Sequence, residues 1–145
     1  MRTWWCFILL CFFSKSSIAQ NWETNFDAAL SLALQENKPL VLVFSGSDWC
    51  APCIKLNKAI WESEEFRAYS EKNYVLYKAD FPRKKKNKLK EELLNQNKVL
   101  AQRFNPKGYF PLVVVLDGEG KVLGKTGYQK IGPIRYIELL DSYYQ

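Results

Sequence analysis

Histidine is absent from this chain of 145 residues, and methionine occurs only once. Without histidine there is no Cys–His nucleophilic pair and no imidazole general base, so hydrolases built on those groups are excluded. A closed zinc site takes about four ligands, mainly cysteine and histidine, and is excluded within one chain unless carboxylates complete it. No flavin or nicotinamide motif, internal repeat or low-complexity linker occurs either. We therefore expect one domain without a bound cofactor or a resident metal.

The first twenty residues, MRTWWCFILLCFFSKSSIAQ, differ in composition from the rest of the chain. They begin with Arg2, continue through an apolar block over residues 4–13 and close with the small-x-small pattern Ser17-Ile18-Ala19. This order is typical of a secretory signal peptide. The sequence therefore predicts a signal over residues 1–19 and one exported domain over residues 20–145, in the periplasm or secreted.

An uncleaved membrane anchor is the alternative to a cleaved signal. The apolar run of about ten residues is short for a bilayer core that takes about 20, so we expect no stable membrane insertion after cleavage. A lipid anchor on Cys11 is disfavoured as well, because Leu9 and Leu10 precede it where a small residue is usual.

Removal of the signal changes both the charge and the cysteine count. Of the 21 basic residues 19 remain, against 15 acidic ones, so the net charge falls from +6 to a mildly basic +4. Cys6 and Cys11 leave with the signal, and Cys50 and Cys53 are the cysteines that remain. In a compartment where disulfides form, this pair is either a bridge or a reactive dithiol.

Helical periodicity alternates with short apolar runs along the exported part of the chain. The predicted helices cover residues 21–36, 50–61, 63–73, 83–104 and 134–144, and the predicted strands cover 40–45, 74–80, 111–117 and 121–128. Thr24 or Asn25 is the expected N-cap of the first helix. This order predicts an α/β fold with a mixed sheet of about four strands and helices on both faces.

The stretch SDWCAPCIK, residues 47–55, carries the chemistry of the chain. Cys50 follows a buried strand and begins a helix, where free backbone N–H groups and the helix dipole stabilise a thiolate. Cys53 lies one turn later, within reach of a disulfide, and Pro52 is tolerated in a first turn. We expect Cys50, the more exposed and more acidic thiol, to attack and Cys53 to resolve the mixed disulfide.

Two other roles for the pair stay open at this point. A purely structural bridge is possible, although a loop this short removes little entropy from the unfolded chain. Two thiolates also suit copper(I), which accepts a pair of soft sulfur ligands.

A cluster of cations, RKKKNKLK, occupies residues 83–90. Such a run is found in sites for nucleic acid or for an acidic partner. Export argues against nucleic acid, and no aromatic residue lies between the lysines. The preferred interpretation is a solvated start of the fourth helix, its first part a flexible loop because cations are unfavourable at a helix N-terminus.

Three segments in this order, VLVFSGSDWCAPC, YVLYKADFP and RFNPKGYFPLVVVLDGEGKVLGKTGY, resemble the thioredoxin superfamily. The resemblance is to small exported thioredoxin-like proteins of bacteria, and it runs from residue 21 to the end of the chain. It implies a thioredoxin-like fold and an exported thiol-disulfide oxidoreductase.

The resemblance also implies a substrate groove. Pro111 matches a cis proline that faces the cysteine pair, and Phe110 matches the residue that lends its backbone to the substrate. Trp49, Ala51 and Pro52 complete the expected rim of the groove. The alternative for Phe110-Pro111 is the mere start of a strand.

The chain departs from thioredoxin at several positions. Ala51 replaces a glycine between the cysteines, and Phe44 stands where thioredoxin buries an aspartate that assists the resolving thiol. The lysine that accompanies this aspartate is expected near Leu76, so the charged pair is expected to be lost. Asp48 or Lys78 could substitute if the geometry permits.

The residues between the cysteines indicate the direction of the reaction. No cation lies between them, which favours the reducing end of the known range, about −270 to −200 mV. We expect a reductase or interchange protein that acts on protein disulfides and receives electrons from a membrane donor. The alternative is a module that binds an unfolded chain or copper(I) without turnover.

Overall fold

The computed structural model describes residues 20–145. The expected signal peptide, residues 1–19, lies outside the described residues and stays a prediction. Within residues 20–145, no helix is both long enough and apolar enough to cross a membrane.

Within residues 20–145, five strands form one mixed sheet in the order β1-β3-β2-β4-β5. The strands are β1 (Trp22–Glu23), β2 (Leu40–Ser45), β3 (Val75–Asp80), β4 (Leu112–Leu116) and β5 (Val122–Thr126). The first three are parallel to one another, and β4 and β5 are antiparallel to their neighbours. The predicted mixed sheet is confirmed, with the two-residue β1 as an additional edge strand. The sequence placed β1 inside the first helix, because two residues are too few to show alternation.

In the described part of the chain, five α-helices cover the two faces of the sheet. They are α1 (Phe26–Glu36), α2 (Ala51–Leu56), α3 (Glu64–Asn73), α4 (Glu91–Phe104) and α5 (Pro133–Asp141). The side chain of Asn25 accepts a hydrogen bond from the Ala28 backbone and begins α1, as expected for one of the two predicted caps. A π-helical segment, Asn57–Trp61, continues α2 directly.

Successive side chains of β2 point to opposite faces of the sheet and contribute to two separate layers of the core. Leu40, Leu42 and Phe44 face α1 and α4, whereas Val41 and Val43 face the layer of α2, α3 and α5. All of these side chains are buried, which explains why β2 reads as a continuous apolar run. The strand β2 is therefore buried along its whole length, and it ends at the same edge of the sheet as its parallel neighbour β3.

The predicted helix over residues 83–104 forms only in its later part, and its first part is a loop, as the unfavourable charges at the helix start lead us to expect. The helix α4 begins at Glu91, and residues 83–90, here called the basic segment, lie outside it as a loop with one short 3₁₀ turn at Lys85–Asn87. Glu91 and Glu92 complement the positive end of the helix, which the preceding cations would oppose. The unfavourable cations therefore make α4 shorter than the helix that apolar periodicity alone predicts.

Candidate active site

The cysteine pair lies where β2 ends and α2 begins. Cys50 and Cys53 form a disulfide with their Cα atoms 5.2 Å apart. Cys50 occupies the N-cap of α2, and the backbone N–H of Cys53 donates to its Sγ atom at 3.3 Å. The N–H of Gly46 points to Sγ of Cys53 at 3.5 Å. Backbone donors therefore face both sulfurs, and they would stabilise negative charge on either one after reduction.

The two cysteine residues differ little in exposure in this disulfide form. Cys50 is 5% exposed and Cys53 is 3% exposed. The expectation that Cys50 is the more exposed thiol concerns the reduced pair and stays a prediction. Ala51 and Pro52, between them, are exposed.

The start of β4 approaches the loop that carries the cysteines. The peptide bond between Phe110 and Pro111 is cis, as the resemblance implies. The Phe110 ring lies 5.4 Å from the Trp49 ring and 5.6 Å from the Phe81 ring, measured between centroids. The structure thus brings the expected rim residues Trp49 and Phe110 into contact, and Phe81 joins them.

Trp49 is held by two features of the loop. Its indole Nε1–H donates to the carbonyl of Phe81 at 2.7 Å. At Gly46 an added Cβ would meet the indole at 2.3 Å, so only glycine leaves room for the ring. The orientation of Trp49 therefore depends on a residue that carries no side chain and on a carbonyl beyond β3.

The loops that follow β2 and β3 bind each other through two carboxylates. Asp80, at the end of β3, accepts hydrogen bonds from the backbone and the hydroxyl of Ser47 at 2.9 and 2.5 Å. In return, Asp48 accepts from the backbone of Arg83 and Lys84 at 2.9 and 3.0 Å. The two loops consequently form one hydrogen-bonded unit at the edge that carries the disulfide.

Asp48 also accepts a hydrogen bond from the side-chain amide of Asn87 at 2.9 Å. The backbone bond from Arg83 is the main cause that lowers the pKa of Asp48. Its carboxylate is committed to the basic segment, so it cannot replace the buried acid that is missing at Phe44.

A small cavity of about 170 Å³ adjoins Cys53. The Nζ atom of Lys78 lies 4.5 Å from the centroid of the Trp22 ring and donates to Oδ1 of Asn57 at 3.1 Å. Burial lowers the pKa of Lys78, against the opposing effects of Asp80 and Glu62. The cavity is lined by Ser45, Ser47, Cys53, Ile54, Asn57, Lys58 and Lys78.

Neither expected position of the charged pair carries a charge. Phe44 is fully buried in the apolar layer against α1 and α4, and Leu76 is a core residue of the other layer. Lys78 follows Leu76 by two residues on the same face of β3 and reaches the cavity of Cys53. The acid is absent, but a lysine is present.

Sequence reasoning missed the contributions of Asp80, Asn57 and Phe81. A signal for Asp80 exists, because it directly follows a strand parallel to β2 and neighbouring strands place their carboxyl ends at one edge. Asn57 carries no such signal, since its position depends on the π-helical turn. Within residues 20–145, no group of three or more histidine, cysteine, aspartate or glutamate side chains could hold a metal; reduced Cys50 and Cys53 are the soft ligands available to an ion such as copper(I).

This fold, with a disulfide at the start of a helix and a cis proline strand beside it, defines a thiol-disulfide oxidoreductase. A family model described as thioredoxin-like matches residues 21–118. The chain therefore belongs to the thioredoxin-like family, as the sequence predicts.

Three known proteins illustrate the relationship. The disulfide bond reductase DsbH of Chlamydia pneumoniae is 36% identical over 121 residues, which cover 83% of this chain and 70% of that protein. A solved structure of a DsbH oxidoreductase is 34% identical, with a TM-score of 0.78 over 85% of this chain and 83% of that one. The oxidised C-terminal domain of Neisseria meningitidis DsbD is 19% identical, with a TM-score of 0.58 over 86% of this chain and 99% of that one; this likeness concerns the fold alone.

Proposed function

We propose that the protein is an exported disulfide reductase or interchange protein whose substrates are protein disulfides. The observation that carries the proposal is the Cys50–Cys53 pair, with Cys50 at the N-cap of α2 and backbone donors directed at both sulfurs. The similarity to a disulfide bond reductase supports the reducing direction. The residues between the cysteines support it too, since neither Ala51 nor Pro52 is a cation that would stabilise the thiolate further.

The reaction proceeds in two exchanges. The thiolate of Cys50 attacks one sulfur of the substrate disulfide, which forms a mixed disulfide and releases the other substrate sulfur as a thiolate that takes up a proton. Cys53 then loses its proton and attacks Sγ of Cys50. The second substrate sulfur leaves as a thiol, and two electrons have passed from the protein dithiol to the substrate.

The second exchange requires Cys53 to lose a proton in a buried position. The cavity beside Cys53 is lined by Lys78 together with the polar residues Ser45 and Asn57. A nearby cation favours the thiolate over the thiol. We assign Lys78 the role of a positioning residue that assists this step in place of the missing aspartate.

The substrate groove is assigned to the residues around the disulfide. Ala51 and Pro52 are exposed beside the sulfurs, and Trp49 and Phe110 form an aromatic contact at the rim. A substrate strand would lie along this rim next to Pro111. The aromatic rings supply apolar contact area that tolerates many sequences.

Turnover needs a source of electrons, because each reaction leaves Cys50 and Cys53 oxidised. The proposed compartment is the periplasm or the exterior, reached through a signal peptide over residues 1–19. A membrane protein that passes electrons across the bilayer is the proposed donor.

The reduction potential of the pair tests the proposal. Equilibration of the purified protein with glutathione or dithiothreitol buffers should give about −270 to −200 mV, the range of known reducing and interchange members. A value above about −150 mV, towards the strong oxidants, would show that the protein introduces disulfides instead.

A further inference from the structure

The basic segment is the part of the molecule that the exchange reaction leaves without a role. Its cations are Arg83, Lys84, Lys85, Lys86, Lys88 and Lys90. The sequence favours a solvated, partly flexible surface for these residues. Three features of the structure distinguish it from such a surface: its charges are unpaired, its backbone is fixed, and it lies beside the disulfide.

The cations of the basic segment lack acidic partners. Among residues 20–145 the structure contains a single ion pair, which joins Lys38 to Glu36. Every cation of the segment is exposed. The carboxylates that follow, Glu91 and Glu92, lie in the first turn of α4, where they complement the helix dipole. The segment therefore presents six cations to the solvent, and none of them forms an ion pair.

The backbone of the basic segment is nevertheless held in place. Asp48 accepts hydrogen bonds from the backbone of Arg83 and Lys84 and from the amide of Asn87. The N–H of Lys88 closes the short turn on the carbonyl of Lys85 at 3.2 Å. Asp48 binds the backbone, so the lysine ammonium groups remain directed outward. A run of like charges repels itself, and this anchor offsets that repulsion.

The basic segment lies directly beside the reactive pair. The Arg83 guanidinium lies 3.7 Å from the centroid of the Trp49 ring, in a cation–π contact. Trp49 is the residue before Cys50, and its ring also contacts Phe110. An aromatic centre next to the disulfide is thus bordered by cations. Protein interfaces have this arrangement, with aromatic and arginine side chains at the centre and charged groups at the rim.

We propose that the basic segment is a docking surface for an acidic stretch of the protein that exchanges disulfides with Cys50–Cys53. The inference rests on the proposed function and adds a partner chemistry to it: glutamates or aspartates close to the exchanging sulfur of the partner. Nucleic acid shares the negative charge but brings no sulfur to Cys50. Attraction between opposite charges raises the association rate of such a partner, and salt screens it.

The experiment uses the purified protein in its dithiol form and two synthetic peptides. Each peptide is closed by one disulfide; one has a run of glutamates beside a cysteine, and the other has glutamines at the same positions. The rate constant of peptide reduction is measured at about 20 mM and about 500 mM salt. At low salt we expect the acidic peptide to react about tenfold faster, and at high salt we expect the preference to disappear.

Two double variants locate the charges that matter. Lys86→Glu/Lys88→Glu alters exposed lysines of the basic segment, whereas Lys72→Glu/Lys121→Glu makes the same change in net charge at the opposite edge of the sheet. The ratio of the two peptide rates should fall towards one in the first variant and persist in the second. An equal fall in both variants would mean that net charge alone attracts the peptide, and the proposal would be wrong.

The Asp48→Ala variant tests whether docking depends on the fixed backbone of the basic segment or on its positive charge alone. This substitution makes the surface more positive but releases the basic segment from its anchor. If the fixed segment forms the docking surface, the preference for the acidic peptide decreases. An increased preference would overturn the docking surface in favour of simple electrostatic attraction.

Binding of peptides in which serine replaces both cysteines keeps this test independent of the redox reaction. Calorimetry should show that the glutamate peptide binds to the native protein and that it binds more weakly to the Lys86→Glu/Lys88→Glu variant. If neither disulfide peptide is reduced but the glutamate peptide binds in this way, the proposed reaction fails and the docking surface stands. If the peptides bind and react alike, while anionic vesicles or a DNA oligonucleotide bind through Lys86 and Lys88, the partner is a membrane or nucleic acid and the inference is refuted.

Discussion

The two edges of the central sheet use carboxylates in different ways. At the edge with the disulfide, Asp48 and Asp80 accept hydrogen bonds mostly from loop backbone, and both lie close to solvent. At the opposite edge, Asp141 accepts from the hydroxyls of Tyr69 and Tyr74, each at 2.6 Å. The first arrangement fixes loops beside a reactive group, and the second joins α3 to α5.

The comparison indicates that the edge with Asp141 serves stability and that the edge with the disulfide serves the chemistry. Tyr74 is buried, and a tyrosine hydroxyl in that position needs a partner. Loss of Asp141 should therefore lower the stability of the protein while leaving the disulfide chemistry intact. Changes at the other edge should alter chemistry with little effect on stability.

Cys50→Ser should abolish the reduction of a protein disulfide, because the attack on the substrate is assigned to Cys50 and Cys53 acts in the second exchange. Cys53→Ser should leave the mixed disulfide on Cys50 unresolved, so that substrate stays covalently attached. Non-reducing gels measure the attachment, and the double variant with serine at both positions is the control. If Cys53→Ser traps nothing while the native protein binds copper(I) in stoichiometric amount, the binding module is the better interpretation.

Asp141→Ala should lower the free energy of unfolding by about 3 kcal/mol, since two hydroxyls lose a charged acceptor. Urea denaturation measures this change. Tyr144→Phe serves as a control on the same edge; it removes a hydrogen bond of an exposed hydroxyl to the carbonyl of Asn37, and we expect a loss of less than about 1 kcal/mol. If Asp141→Ala reduced the glutamine peptide more slowly without any loss of stability, the assignment of stability to this edge and of chemistry to the other edge would be wrong.

Lys78→Met should slow the second exchange about fivefold at neutral pH, because loss of the cation raises the pKa of the Cys53 thiol. The rise of the substrate-release rate with pH should then occur at a higher pH in the variant than in the native protein. Lys58→Met, an exposed lysine on the same cavity, is the matched control and should have a smaller effect. Equal pH profiles for the native protein and Lys78→Met would exclude the assigned role.

Alkaline pH should weaken the edge that carries Asp141. The hydrogen bond to Asp141 is the main cause that raises the pKa of Tyr69 to about 12, from an ordinary 10.0. The folded state therefore favours the neutral phenol: its stabilisation is complete below pH 10 and is lost as the pH rises to about 12. Tyr69→Phe should cost about 1 kcal/mol at neutral pH and reduce this alkaline loss. Urea midpoints of both proteins across this range measure the difference, and parallel curves would refute the assignment.

Local spacing predicted the parts of the site that lie within one helical turn. Cys50, Pro52 and Cys53 meet because a helix places residues three apart on one face. The strand β2 was predicted with its observed bounds, since burial on both faces leaves a continuous apolar run. The basic segment was less predictable, because apolar periodicity extended α4 across residues whose charges oppose a helix start.

Contacts between distant residues could not be predicted in the same way. Lys78 adjoins Cys53 only because β3 pairs with β2 in the register that aligns Val43 with Lys78. Asp48 reaches Arg83 because both parallel strands end at the same edge. The sequence suggested Asp48 as a substitute for the buried acid, but its carboxylate turned out to hold the basic segment.

The amino-acid sequence was sufficient to predict the order of helices and strands, the position of the cysteine pair at a helix start and the class of chemistry, because these depend on neighbours within a few residues. Only the folded structure shows that Lys78 and Cys53 line one cavity and that Asp48 anchors a row of cations beside the loop that carries the disulfide. Both follow from strand register and loop packing, which set the distances between residues that are far apart in the chain.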